Sequence, residues 1–352
     1  MKIGFDAKRY YHNDTGLGNY SRTVVNGLQS LFPENEYVLY DESSLTRAFF
    51  LGNKARKDGC NLFHGLSNEL PADIRIPSIL TIHDICWRTF PEMYHFFDRH
   101  IYDLKYGSSC KRADKIIAIS ESTKRDIMRI YGVKEEKIEV IYQPVQEYYY
   151  TPLAENEAKS LIKEALPTLP EDFILYVGSI NRRKNLLSIV KALSLIPESE
   201  RCMLLIIGNG REYRREVEAY IAEHNLEKWT RIETSIHNNK LLQALYRQAK
   251  IFIYPSFYEG FGLPVVEAAL QNTPVITSTV SSLPEAAGPD ACLIDPYAKD
   301  AVEHLKSSIL DLLSDATKAQ QIADAMEQYA RKTFAPEILT QKIMALYKSM
   351  TD

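Results

Sequence analysis

Phe173-Ile174-Leu175-Tyr176-Val177 is an unbroken apolar run that stops at Gly178, and its reading decides the rest of the chain. Five residues are too few for a buried helix, so the run reads as a strand apolar on both faces. A helical stretch, Asn185 to Leu195, follows it. The next strand, Cys202 to Ile207, stops at Gly208-Asn209-Gly210. The alternation then repeats: helix Tyr213 to His224, strand Thr230 to Glu233, helix Lys240 to Ala249, strand Ile251 to Tyr254, helix Leu263 to Leu270, and strands Val275 to Ser278 and Cys292 to Ile294. Short apolar strands separated by amphipathic helices mean a parallel sheet covered on both faces.

The first half opens in the same way. A short strand, Lys2 to Asp6, precedes a glycine-containing loop, Asp14-Thr15-Gly16-Leu17-Gly18, and a helical stretch, Asn19 to Leu31. Strand-like runs recur at Tyr37–Tyr40, Leu62–His64, Ser78–His83, Lys115–Ile119 and Ile138–Tyr142, and Ser120 is placed to cap a helix Glu121–Tyr131. The expected organisation is an N-terminal Rossmann-like domain over 1–150, a proline-interrupted linker over 151–170 and a second domain over 171–335. The tail from Ala301 is helical, and its last helix, about 336–352, is expected to pack back on the first domain. Ligands of doubly wound α/β sheets sit beyond the carboxyl ends of the strands, so the expected site faces a cleft between two such domains.

The chain has 352 residues, 42 Lys plus Arg against 46 Asp plus Glu, and 45% hydrophobic residues. That excludes a disordered chain. Without a basic excess or block, it is no nucleic-acid binder. No apolar run reaches the roughly 18 residues that cross a bilayer. The start turns acidic at Asp6 before a signal peptide could form, so the expectation is a cytoplasmic protein. Five scattered cysteines lack C-x-x-C spacing and read as reduced thiols.

The stretch richest in chemistry is Pro255-Ser256-Phe257-Tyr258-Glu259-Gly260-Phe261-Gly262-Leu263-Pro264-Val265-Val266-Glu267-Ala268. Gly260 and Gly262 allow a tight turn past a strand, and Pro264 suits the first turn of a helix. Glu259 lies in the loop and Glu267 about one turn into the helix, so the two carboxylates reach different parts of one ligand. The plain alternative is a strand–helix turn with two solvated glutamates. Arg183 and Lys184 also sit between a strand and a helix, where two cations can neutralise a diphosphate or simply form a solvated basic turn.

The Glu259-to-Glu267 pattern resembles the Glu-(seven residues)-Glu signature of retaining GT-B glycosyltransferases that use nucleotide sugars, and more narrowly the glycosyl transferases group 1 family. Four further blocks fall in the family's order: Thr15-Gly16-Leu17-Gly18-Asn19-Tyr20, Thr81-Ile82-His83-Asp84, Gly178 to Asn185, and Pro274-Val275-Ile276 with Ser281-Ser282-Leu283-Pro284-Glu285. The resemblance spans nearly the whole chain. It implies a GT-B fold, two doubly wound Rossmann-like domains facing across a cleft, and a nucleotide-diphosphate sugar as donor. It implies that Arg183 and Lys184 bind the donor diphosphate, although Ser179 stands where some relatives carry a further arginine. Glu267 would accept hydrogen bonds from ribose hydroxyls, and Glu259 would sit beside the transferring sugar, supporting charge rather than forming a covalent bond. The backbone from Gly260, Phe261 and Gly262 to Leu263 would hold sugar hydroxyls or phosphate. His83 would contact the sugar or the acceptor, with Asp84 fixing its ring. Gly16 and Gly18 would let the first loop close over the diphosphate. The nucleobase would lie against Gly208 and the run containing Ser235.

The pattern is closest to mannosyltransferase-like members and points to GDP-mannose. No Asp-x-Asp motif is present, so no metal or other cofactor is expected. The acceptor would be a glycan or a lipid-linked glycan. The aromatic and basic stretch Trp87 to Arg112 reads either as a core helix or as a surface for peripheral membrane contact, at the inner face of the membrane. Two other readings stay open: a sugar-nucleotide epimerase on the same fold, and a non-catalytic two-domain binding protein.

Overall fold

The computed structural model describes every residue except Asp14, His237 and Asp352. The chain divides into two compact units. One comprises Met1–Gln146 with Phe334–Asp352, the other Glu147–Thr333.

The first unit holds six parallel strands: β1 (Lys2–Asp6), β2 (Glu36–Tyr40), β3 (Leu62–Gly65), β4 (Ser78–Ile82), β5 (Lys115–Ala118) and β6 (Ile138–Val140), in the order β2-β1-β3-β4-β5-β6. The register aligns Phe5 with Leu39 on one side and with His64 on the other. β3 and β4 are buried along their whole length, as expected of central strands covered on both faces. The helix Pro336–Thr351 belongs to this unit, with Leu339, Ile343 and Tyr347 buried. Ser120 does cap the helix Glu121–Tyr131, and Gly132 ends it in the left-handed conformation.

The second unit holds β7 (Phe173–Val177), β8 (Met203–Ile207), β9 (Thr230–Glu233), β10 (Ile251–Tyr254), β11 (Val275–Ser278) and β12 (Cys292–Ile294), in the order β12-β11-β10-β7-β8-β9. Counted from its first strand, that is the 3-2-1-4-5-6 order of dinucleotide-binding sheets, whose direction of winding reverses between β7 and β10.

Three expectations are corrected. The stretch 151–170 is not a linker, because the second unit begins at Glu147; the helix Glu155–Ala165 within it is one its sequence allows. The glycines of the first loop lie inside the helix Gly16–Leu31 rather than before it. The aromatic stretch is divided: Trp87, Tyr102 and Tyr106 pack together on the core, whereas Phe96, Phe97, Ile101 and Leu104 are exposed on the helix Phe96–Arg112. No helix among the described residues is long and apolar enough to cross a membrane. All five cysteines are unbridged.

Candidate active site

The winding reversal of the second sheet brings two loops together, one after β7 and one after β10. They are zipped by backbone and side-chain bonds. Phe257 N–H donates to the Arg183 carbonyl at 2.8 Å, and Asn185 Nδ2 donates to the Pro255 carbonyl at 3.1 Å. Asn181 Oδ1 accepts from Lys184 N–H at 3.2 Å and Asn185 is left-handed, so Arg182–Lys184 make a single tight turn.

At this junction Glu259 meets both cations expected from the sequence. Arg183 Nη1 lies 2.9 Å from Glu259 Oε2 and 2.5 Å from the Tyr258 carbonyl. Lys184 Nζ lies 2.5 Å from Glu259 Oε1 and also donates to the Tyr254 hydroxyl. Glu259 and Lys184 are buried, at 7% and 8% exposure. Burial pushes the Glu259 carboxyl up, but the adjacent Lys184 ammonium and Arg183 guanidinium outweigh it and hold the group down at about 2. The cluster is therefore ionised at neutral pH and carries one net positive charge. Its two cations are paired to a carboxylate that serves as their internal counterion.

The Glu259 loop is clamped from below. Ser281 Oγ accepts from Glu259 N–H at 3.0 Å and donates to the Glu259 carbonyl at 2.5 Å. Ser282 Oγ reaches the carbonyls of Glu259 and Phe261, each at 2.9 Å. Gly262 has φ of 108°, a conformation L-residues rarely adopt, and it opens the helix Leu263–Leu270 with Pro264 in the first turn. Glu267, on that helix, is partly buried. Tyr246 donates its hydroxyl to Glu267 Oε2 at 3.0 Å. Burial pushes the Glu267 carboxyl up to about 7, against the hydrogen bonds of Tyr246 and Tyr149. Two carboxylates eight positions apart thus titrate in opposite directions, one fixed as an anion and one poised near neutrality.

Gly208 is needed for packing: a Cβ there would lie 1.8 Å from the Gly178 carbonyl oxygen, where the loops after β7 and β8 touch. Gly210 faces the Ile180 carbonyl in the same way. Ser235 is exposed beyond the carboxyl end of β9. A cavity of about 1040 Å³ at the opposite, amino-terminal edge of this sheet contains none of the expected site residues.

In the first unit His83 follows β4 and is buried, at 5% exposure. Its Nε2 lies 2.9 Å from the Leu66 carbonyl, so that nitrogen carries the proton and Nδ1 is left as the acceptor. Burial pushes its pKa down to about 4, so the ring is neutral at pH 7. The contacts that fix it come from Leu66 and from Tyr20, packed edge-on with centroids 4.6 Å apart, rather than from the expected Asp84, whose Oδ1 accepts from Cys86 N–H. Behind it a buried polar chain runs from Tyr20 to Thr81 (3.0 Å), His64 (2.8 Å) and Tyr347 (2.5 Å).

The glycine loop differs from expectation. The N–H of Gly18 is taken by Asn13 Oδ1 at 3.0 Å, and a Cβ at Gly18 would lie 1.7 Å from the Asn13 carbonyl oxygen. Gly18 is therefore explained by helix capping. Gly16 has open space around it, so no neighbour requires it to be glycine. Asp14, in the same loop, lies outside the described residues.

Sequence reasoning missed Tyr254, Tyr246, Tyr149 and Tyr20. Tyr254 carried one readable signal, a hydroxyl ending an otherwise apolar strand beside the glycine turn. The others sit in helices and turns where a tyrosine is indistinguishable from core filling.

Two parallel six-stranded sheets with these orders, one bearing a buried ionic cluster at its winding reversal, define the GT-B class of glycosyltransferases. Comparison with known proteins agrees. The family Glycosyl transferases group 1 matches residues 158–333, and Glycosyltransferase Family 4 matches residues 44–147. The O-antigen chain mannosyltransferase B of Escherichia coli is 31% identical over 290 residues, covering 82% of this chain and 74% of that protein. Sucrose-phosphate synthase from Thermosynechococcus elongatus superposes with a TM-score of 0.79 at 20% identity, over 99% of this chain and 98% of the other. HepE of Anabaena, solved with UDP and glucose, superposes with a TM-score of 0.75 at 16% identity, over 99% of each chain. The chain belongs to the glycosyl transferases group 1 family and is a glycosyltransferase.

Proposed function

We propose that this protein is a retaining mannosyltransferase that moves a hexosyl unit from GDP-mannose to a hydroxyl of a glycan or lipid-linked glycan in polysaccharide biosynthesis. The observation that carries the reading is the buried Arg183–Lys184–Glu259 cluster at the winding reversal of the second sheet. The mannosyl assignment draws on the name of the Escherichia coli relative.

In this reading the donor diphosphate takes the Arg183 and Lys184 charges now neutralised by Glu259, and the released carboxylate turns toward the sugar. The cations stabilise negative charge on the diphosphate as the C1–O bond breaks. The acceptor oxygen attacks from the face the diphosphate leaves, and its proton passes to the departing phosphate. Glu267 accepts from the ribose diol. Neutral His83 accepts at Nδ1 from a sugar or acceptor hydroxyl. Arg183 and Lys184 supply the charge a divalent metal would otherwise provide, so no metal or cofactor is required. The acceptor and any peripheral membrane contact fall to the first unit, whose exposed Phe97, Ile101 and Leu104 suit the inner face of a membrane.

The test is transfer from GDP-mannose, UDP-glucose and ADP-glucose to oligosaccharide and lipid-linked acceptors, with and without EDTA, reading the anomeric configuration of the product by NMR. Transfer from GDP-mannose with retained configuration, unchanged by EDTA, is the expected result. An inverted product removes the retaining mechanism, EDTA sensitivity removes the metal-free site, and acceptor-independent change of the sugar returns the epimerase reading.

A further inference from the structure

The carboxylate of Glu267 is held by groups that no motif announces. Tyr246, on the helix Asn239–Gln248, is fully buried and donates to Glu267 Oε2 at 3.0 Å. Tyr149, 1% exposed, lies beside the same carboxylate and favours its ionised form. The two rings meet edge to face with centroids 6.1 Å apart.

Tyr149 is itself fixed with unusual thoroughness. It lies in the segment Glu147–Tyr150, the first residues of the second unit. Gln243 Nε2 donates to the carbonyls of Tyr148 (3.0 Å) and Thr151 (2.9 Å), Gln271 Nε2 to that of Tyr149 (2.7 Å), and Arg331 Nη1 to that of Tyr150 (3.0 Å). Side chains thus take four successive carbonyls. Gln243 and Gln271 are both buried. Buried amides committed in this way leave the segment one conformation, since each lost bond strands a polar group away from water.

Packing alone does not account for the two hydroxyls. Phenylalanine fills nearly the same volume without a buried polar atom to satisfy. What the hydroxyls add is specific to the carboxylate. Both favour its ionised form, and the bond donated by Tyr246 fixes which lone pairs remain available.

We propose that Tyr149 and Tyr246 are positioning residues of the donor site, which hold the Glu267 carboxylate as a hydrogen-bond acceptor aimed at the ribose diol of the nucleotide. The inference rests on the reading that Glu267 binds ribose. The titratable groups facing Glu267 are phenols, Tyr148 and Tyr149 from the 147–150 segment and Tyr246 from its helix. All three stay protonated at neutral pH, and the terminal phosphate, which titrates near about 6, is common to the ribo- and deoxynucleotide, so a pH dependence of the preference between them belongs to Glu267.

The experiment uses the full chain and isothermal titration calorimetry. GDP, UDP and ADP are titrated first, and the tightest binder is then compared with its 2′-deoxy counterpart from about pH 5.5 to 8.5, a range that spans the Glu267 titration. The wild-type protein should prefer the ribonucleotide by about 10-fold, the worth of one hydrogen bond to a charged group. In Tyr246→Phe and Tyr149→Phe that preference should fall to about 3-fold or less, with deoxynucleotide binding unchanged. The pH midpoint should move upward, because a donor to the ionised form has been removed. Unchanged deoxynucleotide binding also shows that the variants fold. If both variants keep the wild-type preference and midpoint, the tyrosines are packing residues and the proposal falls. If Glu267→Gln keeps the preference, the ribose reading itself fails and takes the proposal with it. Loss of preference in Glu267→Gln but not in the tyrosine variants removes the positioning role alone.

Discussion

The two sheets of this protein share a strand count and a parallel architecture, but the polar groups toward the carboxyl ends of their central strands have opposite character. The first unit places neutral imidazoles there. His64 and His83 are buried, pushed down to about 3 and about 4, and held by hydroxyls and carbonyls. The second unit places two cations and a carboxylate there, held ionised by one another. The contrast shows how one architecture separates two tasks. In the proposed reaction the ionic cluster would attract and neutralise the charged leaving group. Uncharged rings give and receive hydrogen bonds without competing for that charge.

The sharpest way to break this comparison is Glu259→Gln. It frees Arg183 and Lys184 while removing the group beside the sugar. Transfer should fall by about 10² to 10³, as when one preorganised electrostatic group is removed from a transition state. Nucleoside diphosphate should bind several-fold more tightly by calorimetry, because the phosphates no longer displace a carboxylate. Weaker binding would mean that the phosphates do not displace Glu259 from the two cations.

The neutral side is tested by Tyr347→Phe. That change leaves a ring nitrogen of His64 without its partner in a fully buried place, and should cost about 1 to 3 kcal/mol, read as a lower denaturation midpoint. Nucleotide affinity should not change. A change in affinity would show that the histidine chain does more than hold the first unit together.

The smallest effect separates the two glutamates. The folded-state pKa of Glu267 is raised to about 7 from an ordinary 4.5. The native fold therefore binds its proton more tightly than the unfolded chain, and stability present below pH 4.5 is lost as pH rises through 7. Glu267→Gln should be more stable than wild type at pH 8, with the difference shrinking toward zero at acidic pH. A pH-independent difference would mean that the carboxyl is not raised. Glu259, depressed to about 2, has the opposite sign: its contribution is present above 4.5 and is lost only as pH falls through 2.

How much was legible in the sequence follows from the same contrast. The second unit concentrates its candidate site residues in two loops and the start of the helix that follows, so Glu259, Glu267, Arg183 and Lys184 are visible as spacing before any fold is known. That Glu259 pairs with both cations was not visible, because adjacency of β7 and β10 is a property of strand order, 74 residues apart between Lys184 and Tyr258 by numbering. The first unit gathers its polar chain from residues 20, 64, 81 and 347, each an ordinary residue in its own neighbourhood. The strands of both sheets read correctly because unbroken apolar runs admit few alternatives. The first helix was begun too late because glycines 16 and 18 imitate a loop, when Gly18 is required by the backbone of Asn13.

The buried bond between His64 and Tyr347 spans 283 positions, and it has a consequence for the order of events on the ribosome. The second unit is one continuous stretch, complete once residue 333 has left the exit tunnel. The first unit is not. Its sheet is synthesised early, yet the helix bearing Leu339, Ile343 and Tyr347 emerges last. Throughout translation of the intervening residues an apolar seam and an imidazole stay uncovered. The earlier-made half of this enzyme is the later one to finish folding, and the nascent chain must be shielded from aggregation for that whole interval.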